Sequence, residues 1–216
     1  MTTPIEELEP LHERTYAVRV YRRSPTELLA RGTMRDEKPP GLYIDDDPEP
    51  LTIHQMTVEL VVEYPSLTIV GVDVHFGTHP HSDCPGIAAQ YSGLVGLSIS
   101  RGFTHKTREL FGGPRGCTHV TALLQAMAPA VVQSTWSMRI RNQLDTAHLD
   151  DTRADVPVDD FAARQLLNVG TCHVWAEDGE HVALVQRGEA ARLGIPVRER
   201  LLELGHDPEQ WAERHA

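Results

Sequence analysis

Each of the three cysteines in this 216-residue chain has a histidine close by in sequence. They read VDVHFGTHPHSDCP around Cys84, GGPRGCTHV around Cys117 and VGTCHVW around Cys172. Thiol and imidazole together support two chemistries. One is a sulfur nucleophile with its base, and the other is ligation of a thiophilic metal such as zinc or iron. None of the compact metal spacings, C-x-x-C, H-E-x-x-H or C-x-x-C-H, is present. A metal set drawn from Cys84, Cys117, His119 and Cys172 therefore has to be assembled from separate segments.

Cys117 and His119 are the best placed pair. If Thr118 caps a helix, Cys117 lies just ahead of the N-terminus and His119 falls in the first turn. Free N–H groups and the positive dipole end there favour a thiolate and disfavour imidazolium, which leaves His119 free to ligate or to accept a proton. The segment then reads as a reactive thiol, a ligand pair, an anion-binding turn, or a small buried Cys in a capping turn. Cys172 and His173 fall on an expected strand, where neighbours point to opposite faces, so one of the two serves a site unless a bulge at Gly170 intervenes. His54 closes an apolar row, the position of a satisfied core-edge residue or of a base or ligand in a pocket wall. His75 shares a face with Asp73, while His79 and His81 bracket Pro80 in a loop. The catalytic candidates are thus Cys117, His119, His54 and His173.

The elements that must position them follow from periodicity. Residues 15–23 alternate as a strand, with Tyr16, Val18 and Val20 on one face, and 27–36 form a weaker second strand. An acidic, Pro-rich loop follows. Residues 51–64 alternate most clearly, with Met56, Val58, Leu60, Val62 and Tyr64 together. A Tyr64-Pro65-Ser66 turn then leads to a strand with Val70, Val72, Val74 and Phe76 on one face, making an antiparallel hairpin. Helices are expected over 85–95 and over 104–111, the latter with Thr104 as N-cap and Gly112-Gly113 as the stop. A third starts near Thr118, with Val120, Leu123, Leu124, Met127 and Val131 as its core stripe and Pro129 kinking it or ending its first segment. Residues 145–160 read as an acidic surface connection, 166–185 as a second hairpin turning at Asp178-Gly179, and the end as two short helices broken around Gly205 to Pro208. The expected class is α+β: an antiparallel β-sheet from the N-terminal strands and the late hairpin, packed on one face by the central α-helices. The expected layout is a tail over 1–14, one domain over 15–190 and C-terminal helices over 191–216.

Composition narrows the function classes. Acidic residues number 31 against 20 basic ones, a net charge of -11, which argues against the Lys/Arg-driven contacts of sequence-independent nucleic-acid binding. Neither a signal peptide nor an apolar stretch of bilayer length is present, so no membrane partner is expected. An odd number of cysteines argues against a disulfide scaffold and for a reducing, cytoplasmic setting. Nucleotide-binding glycine motifs and a G-x-S-x-G elbow are absent.

Several of these residues also form a recognisable pattern. Arg22-Arg23 closes the first strand, His54-x-Met56 opens a later one, and Cys84-Pro85 precedes Tyr91, Leu94 and Gly96. Gly112 to His119 reads Gly-Gly-x-x-Gly-Cys-Thr-His, and Cys172-His173 comes late, followed by Val where the family has Ala. Over roughly residues 15–186 the chain resembles a bacterial family, domain of unknown function 2889. The resemblance implies that Cys84, Cys117, His119, Cys172, His173 and His54 belong together. The expected function is a small enzyme of catabolic or secondary metabolism acting on an organic small molecule through a Cys/His pocket, with zinc or iron as the cofactor if it is metal-dependent. The alternatives are a non-catalytic binding module and a structural zinc site; oligomeric state stays open.

Overall fold

The computed structural model describes residues 4, 7–100, 102–147, 165–189 and 193–215. The chain divides into two compact units, residues 1–149 and 150–216.

The first unit is built on four strands, β1 (Glu13–Ser24), β2 (Glu27–Lys38), β3 (Leu51–Glu63) and β4 (Ile69–Thr78). They pair in chain order as an antiparallel meander. One face carries Leu28, Ala30 and Met34 from β2 with Met56, Val58, Leu60 and Val62 from β3, all buried. Burying the Leu, Val and Met side chains among them contributes about 1.5–3 kcal/mol each before chain entropy is counted. The helices α1 (Phe103–Phe111) and α2 (Thr118–Ala147) follow, preceded by a 3-10 segment, Cys84–Leu94. Val120, Leu123, Leu124, Met127 and Val131 of α2 are buried in the same core. The helix packs against β1, β2 and β3, so the α+β class stands. Gly32 lets α2 come close: a Cβ there would lie 2.6 Å from Met127 Sδ. At its far end Arg22 bonds Asn142 and Asp145, and Asn142 donates to the Pro25 carbonyl, which ties the helix to the β1–β2 turn.

Several expectations are corrected in detail. Ile69 is buried and Val70 is exposed, although alternation puts Val70 inside. The register shows why: Val61 pairs Gly71 and Val62 pairs Ile69, so Val70 is the extra residue of a bulge that reverses the phase. Helix α1 starts one residue before Thr104, with Gly102 at its N-cap. Helix α2 begins at Thr118 itself, with the Cys117 carbonyl accepting from Thr121 N at 2.9 Å, so Cys117 holds the capping position. It also runs through Pro129 rather than ending there.

The second unit contains no hairpin among its described residues. Residues 166–186 form two 3-10 turns, Leu166–Asn168 and His173–Trp175, and helix α3 (Glu180–Gln186). Gly179 caps α3, and Val182 and Val185, three apart, are buried together, which suits a helix and would split them between the faces of a strand. Short apolar runs are ambiguous in period, and here the capping glycine decides. Helices α4 (Ile195–Glu203) and α5 (Pro208–His215) follow, as expected. Among the described residues no helix is long and apolar enough to cross a membrane.

Candidate functional site

The site grows out of strand register. Asp36 pairs Arg14 on one side and His54 on the other, so the three residues form a single row across β1, β2 and β3. Counting by two from Met34 and Met56 keeps Asp36 and His54 on the core face, at the end of the sheet that the α2 N-terminus covers. Asp36 is 1 % exposed. A buried carboxylate must be compensated, and four nitrogen-bearing side chains do so. Arg14 grips it as a fork, Nε to Oδ1 at 2.5 Å and Nη2 to Oδ2 at 2.6 Å. His54 Nδ1 lies 3.1 Å from Oδ2, His119 Nε2 lies 3.5 Å from Oδ2, and His12 Nε2 lies 3.4 Å from Oδ1. The His54 and His119 rings stack with centroids 4.0 Å apart.

These contacts set the ionisation states. Burial pushes the Asp36 pKa up, but the Arg14 hydrogen bonds and charge, with His119 and His12, outweigh burial and hold it below the usual carboxylate value. Burial pushes the His119 pKa below its usual value, repulsion from His54 and Arg14 adds to this, and Asp36 opposes it only in part. His119 is therefore a neutral imidazole near pH 7. A proton on Nε2 facing Asp36 leaves the Nδ1 lone pair pointing away from the carboxylate.

Cys117 occupies that other side, its Sγ 3.6 Å from His119 Nδ1. The backbone of Cys117 is clamped by Tyr91, whose hydroxyl accepts from Cys117 N at 2.8 Å and donates to Cys117 O at 3.2 Å. Tyr91 is fully buried and stacks on Phe111 with centroids 4.6 Å apart. Burial raises the Tyr91 pKa, so the phenol keeps the proton this clamp needs. Gly116 is required ahead of the cysteine, because a Cβ there would collide with the Phe111 carbonyl. Beside the thiol lies an open cavity of about 340 Å³, lined by Phe76, Asp83, Cys84, Ile87, Gly116, Cys117 and Thr118.

The residues expected from sequence are thus brought together in part. His119 and His54 meet at Asp36, Cys117 lies against the other nitrogen of His119, and Cys84 shares the cavity with Cys117. Cys172 and His173 are in the second unit, exposed at a 3-10 turn rather than on a strand. His75 and His81 are exposed, and His79 Nδ1 bonds the His81 carbonyl. Arg22 holds α2 and touches none of the site groups described above. Asp36, Arg14 and His12 are absent from the sequence-based set, though a signal for the first was available. Leu28, Ala30 and Met34 alternate on β2, and one further step of two reaches Asp36.

A family model described as "protein of unknown function (DUF2889)" matches residues 12–133. The chain belongs to this family. The matched segment contains His12, Arg14, Asp36, His54, Cys84, Cys117 and His119, and it ends before Cys172 and His173. Neither a curated protein nor a solved structure matches the chain.

Proposed function

We propose that the protein is an enzyme that uses the Cys117 thiol as a nucleophile toward an electrophilic carbonyl carbon of a small organic molecule. The observation that carries this reading is the chain of contacts from Cys117 Sγ to His119 Nδ1 and from His119 Nε2 to Asp36 Oδ2. A nucleophile, a base and an orienting carboxylate in that order is the arrangement that sulfur-based acyl chemistry needs. In the reacting step, His119 Nδ1 takes the S–H proton and the sulfur lone pair forms the bond to carbon. The carbonyl π pair moves to oxygen; on its return the bond from carbon to the leaving group breaks, and the leaving group takes that electron pair and the proton from His119. Asp36 stabilises the imidazolium this creates, and Arg14 holds Asp36 in place. His54 donates to the same carboxylate oxygen and is a positioning residue. The cavity beside Cys117 takes the substrate, with Phe76 and Ile87 against its apolar part. A free thiol requires a reducing compartment, and the cytoplasm is the one we assign.

The test uses p-nitrophenyl acetate as a minimal acyl donor. Peptide mass spectrometry is expected to find the acetyl group on Cys117, with nitrophenol released in step with it. His119→Ala should slow that release on the order of a hundredfold or more, the usual worth of a positioned base. Acetylation spread evenly over the three cysteines, with His119→Ala unchanged, overturns the reading.

A further inference from the structure

The polar cluster has a second capacity that the thiol chemistry does not use. Asp36, His54 and His119 each offer one donor atom, and these atoms all lie within 4.8 Å of one another. The two edges at Asp36 Oδ2 measure 3.1 Å to His54 Nδ1 and 3.5 Å to His119 Nε2. Metal–nitrogen and metal–oxygen bonds of about 2.0–2.2 Å in a tetrahedron place neighbouring ligand atoms about 3.4 Å apart. The two measured edges bracket that spacing. Two imidazoles and one carboxylate are also the donor set that zinc and other late first-row ions accept, with one coordination position left open.

From this geometry we infer that Asp36, His54 and His119 bind one divalent transition-metal ion of the zinc class. The strands fix two of the ligands, because Asp36 and His54 are paired directly across β2 and β3, and the first turn of α2 brings the third. Arg14 does not block the carboxylate. Its fork uses one direction on each oxygen and leaves a lone pair of Oδ2 for the ion, so the guanidinium becomes the hydrogen-bonding partner that ligating carboxylates usually have. Cys117 is not a ligand in this arrangement, since its sulfur is on the Nδ1 side of His119 and the ion is on the Nε2 side. A neutral imidazole bound through Nε2 carries its proton on Nδ1. Metal loading therefore turns His119 from an acceptor of the Cys117 proton into a donor to the sulfur.

The inference stands apart from the nucleophile reading and is tested without the thiol. Cobalt(II) added to full-length, chelator-treated, untagged protein is expected to bind at about one equivalent, and zinc should displace it. The visible spectrum should show d–d bands with no intense near-ultraviolet sulfur-to-cobalt transition. Cys117→Ala should bind equally well, while His54→Ala and His119→Ala, each checked as folded by circular dichroism, should lose at least about tenfold in affinity. Arg14→Gln, which removes the hydrogen-bonding partner of the ligating carboxylate, should weaken binding by about tenfold. Failure of the folded wild type to bind cobalt overturns the inference. So does binding that survives both histidine changes, or a sulfur band that vanishes in Cys117→Ala. Acetylation of Cys117 in metal-free protein is unaffected by any of these results, so the two readings fail separately.

Discussion

Asp36 is the residue on which the site depends. It is a buried carboxylate whose charge is balanced by Arg14 and shared by His54 and His119. The burial of His119 beside it gives stability a definite pH dependence. His119 titrates below 6.5 in the fold, so between that value and its lower folded pKa the unfolded chain binds the extra proton. Its contribution is complete at higher pH and is lost as pH falls below 6.5. Asp36, with a folded pKa below 3.8, contributes fully above 3.8 and loses that contribution as pH falls through its folded value. Urea unfolding is therefore expected to show stability declining from pH 7 toward pH 5. His119→Gln should flatten that portion while leaving the steeper loss near pH 3 to the carboxylates. A His119→Gln profile parallel to wild type would contradict this assignment.

At the scale of elements, the site is held by register, by one helix start and by a buried phenol. β1, β2 and β3 deliver Arg14, Asp36 and His54 in one row, and α2 delivers His119 and Cys117. Tyr91, from the 3-10 segment, connects this helix start to the core through both backbone groups of Cys117. Tyr91→Phe keeps the ring packing and removes both bonds. It is expected to lower stability by about 1–3 kcal/mol, the cost of leaving such a buried N–H unpaired. It should also slow modification of Cys117 while leaving Cys172 unchanged. Equal effects on the two cysteines would mean that Tyr91 supports only the fold.

The elements also show what was legible beforehand. The row ending in His54 and the stripe on α2 could be read because alternation and the 3.6-residue period are strong over those lengths. The bulge at Val70 could not, since one extra residue changes phase without changing composition. The late segment misled for a different reason: Val182 and Val185 sit in a short apolar run that suits either period, and Gly179 served as a helix cap rather than a hairpin turn. Asp36 was legible in principle, as the next step of an apolar row. Its partners were not, because pairing of Arg14 with Asp36 depends on which strands become neighbours.

The whole molecule sets the three cysteines in different circumstances. Cys117 and Cys84 are half-buried in the first unit, within the segment that places the chain in its family, and Cys172 is exposed in the second. Simple accessibility ranks Cys172 as the thiol that reagents reach first. The proposed chemistry ranks Cys117 first, because among the described residues an imidazole nitrogen lies 3.6 Å from its sulfur with a buried carboxylate behind it. Site-resolved alkylation with iodoacetamide at pH 7, followed by peptide mass spectrometry over time, compares the three directly. The account predicts that Cys117 is modified fastest, by on the order of tenfold over Cys172, and that His119→Ala drops it below Cys172. If Cys172 reacts first in the wild type and His119→Ala leaves the rate at Cys117 unchanged, Cys117 is not an activated nucleophile.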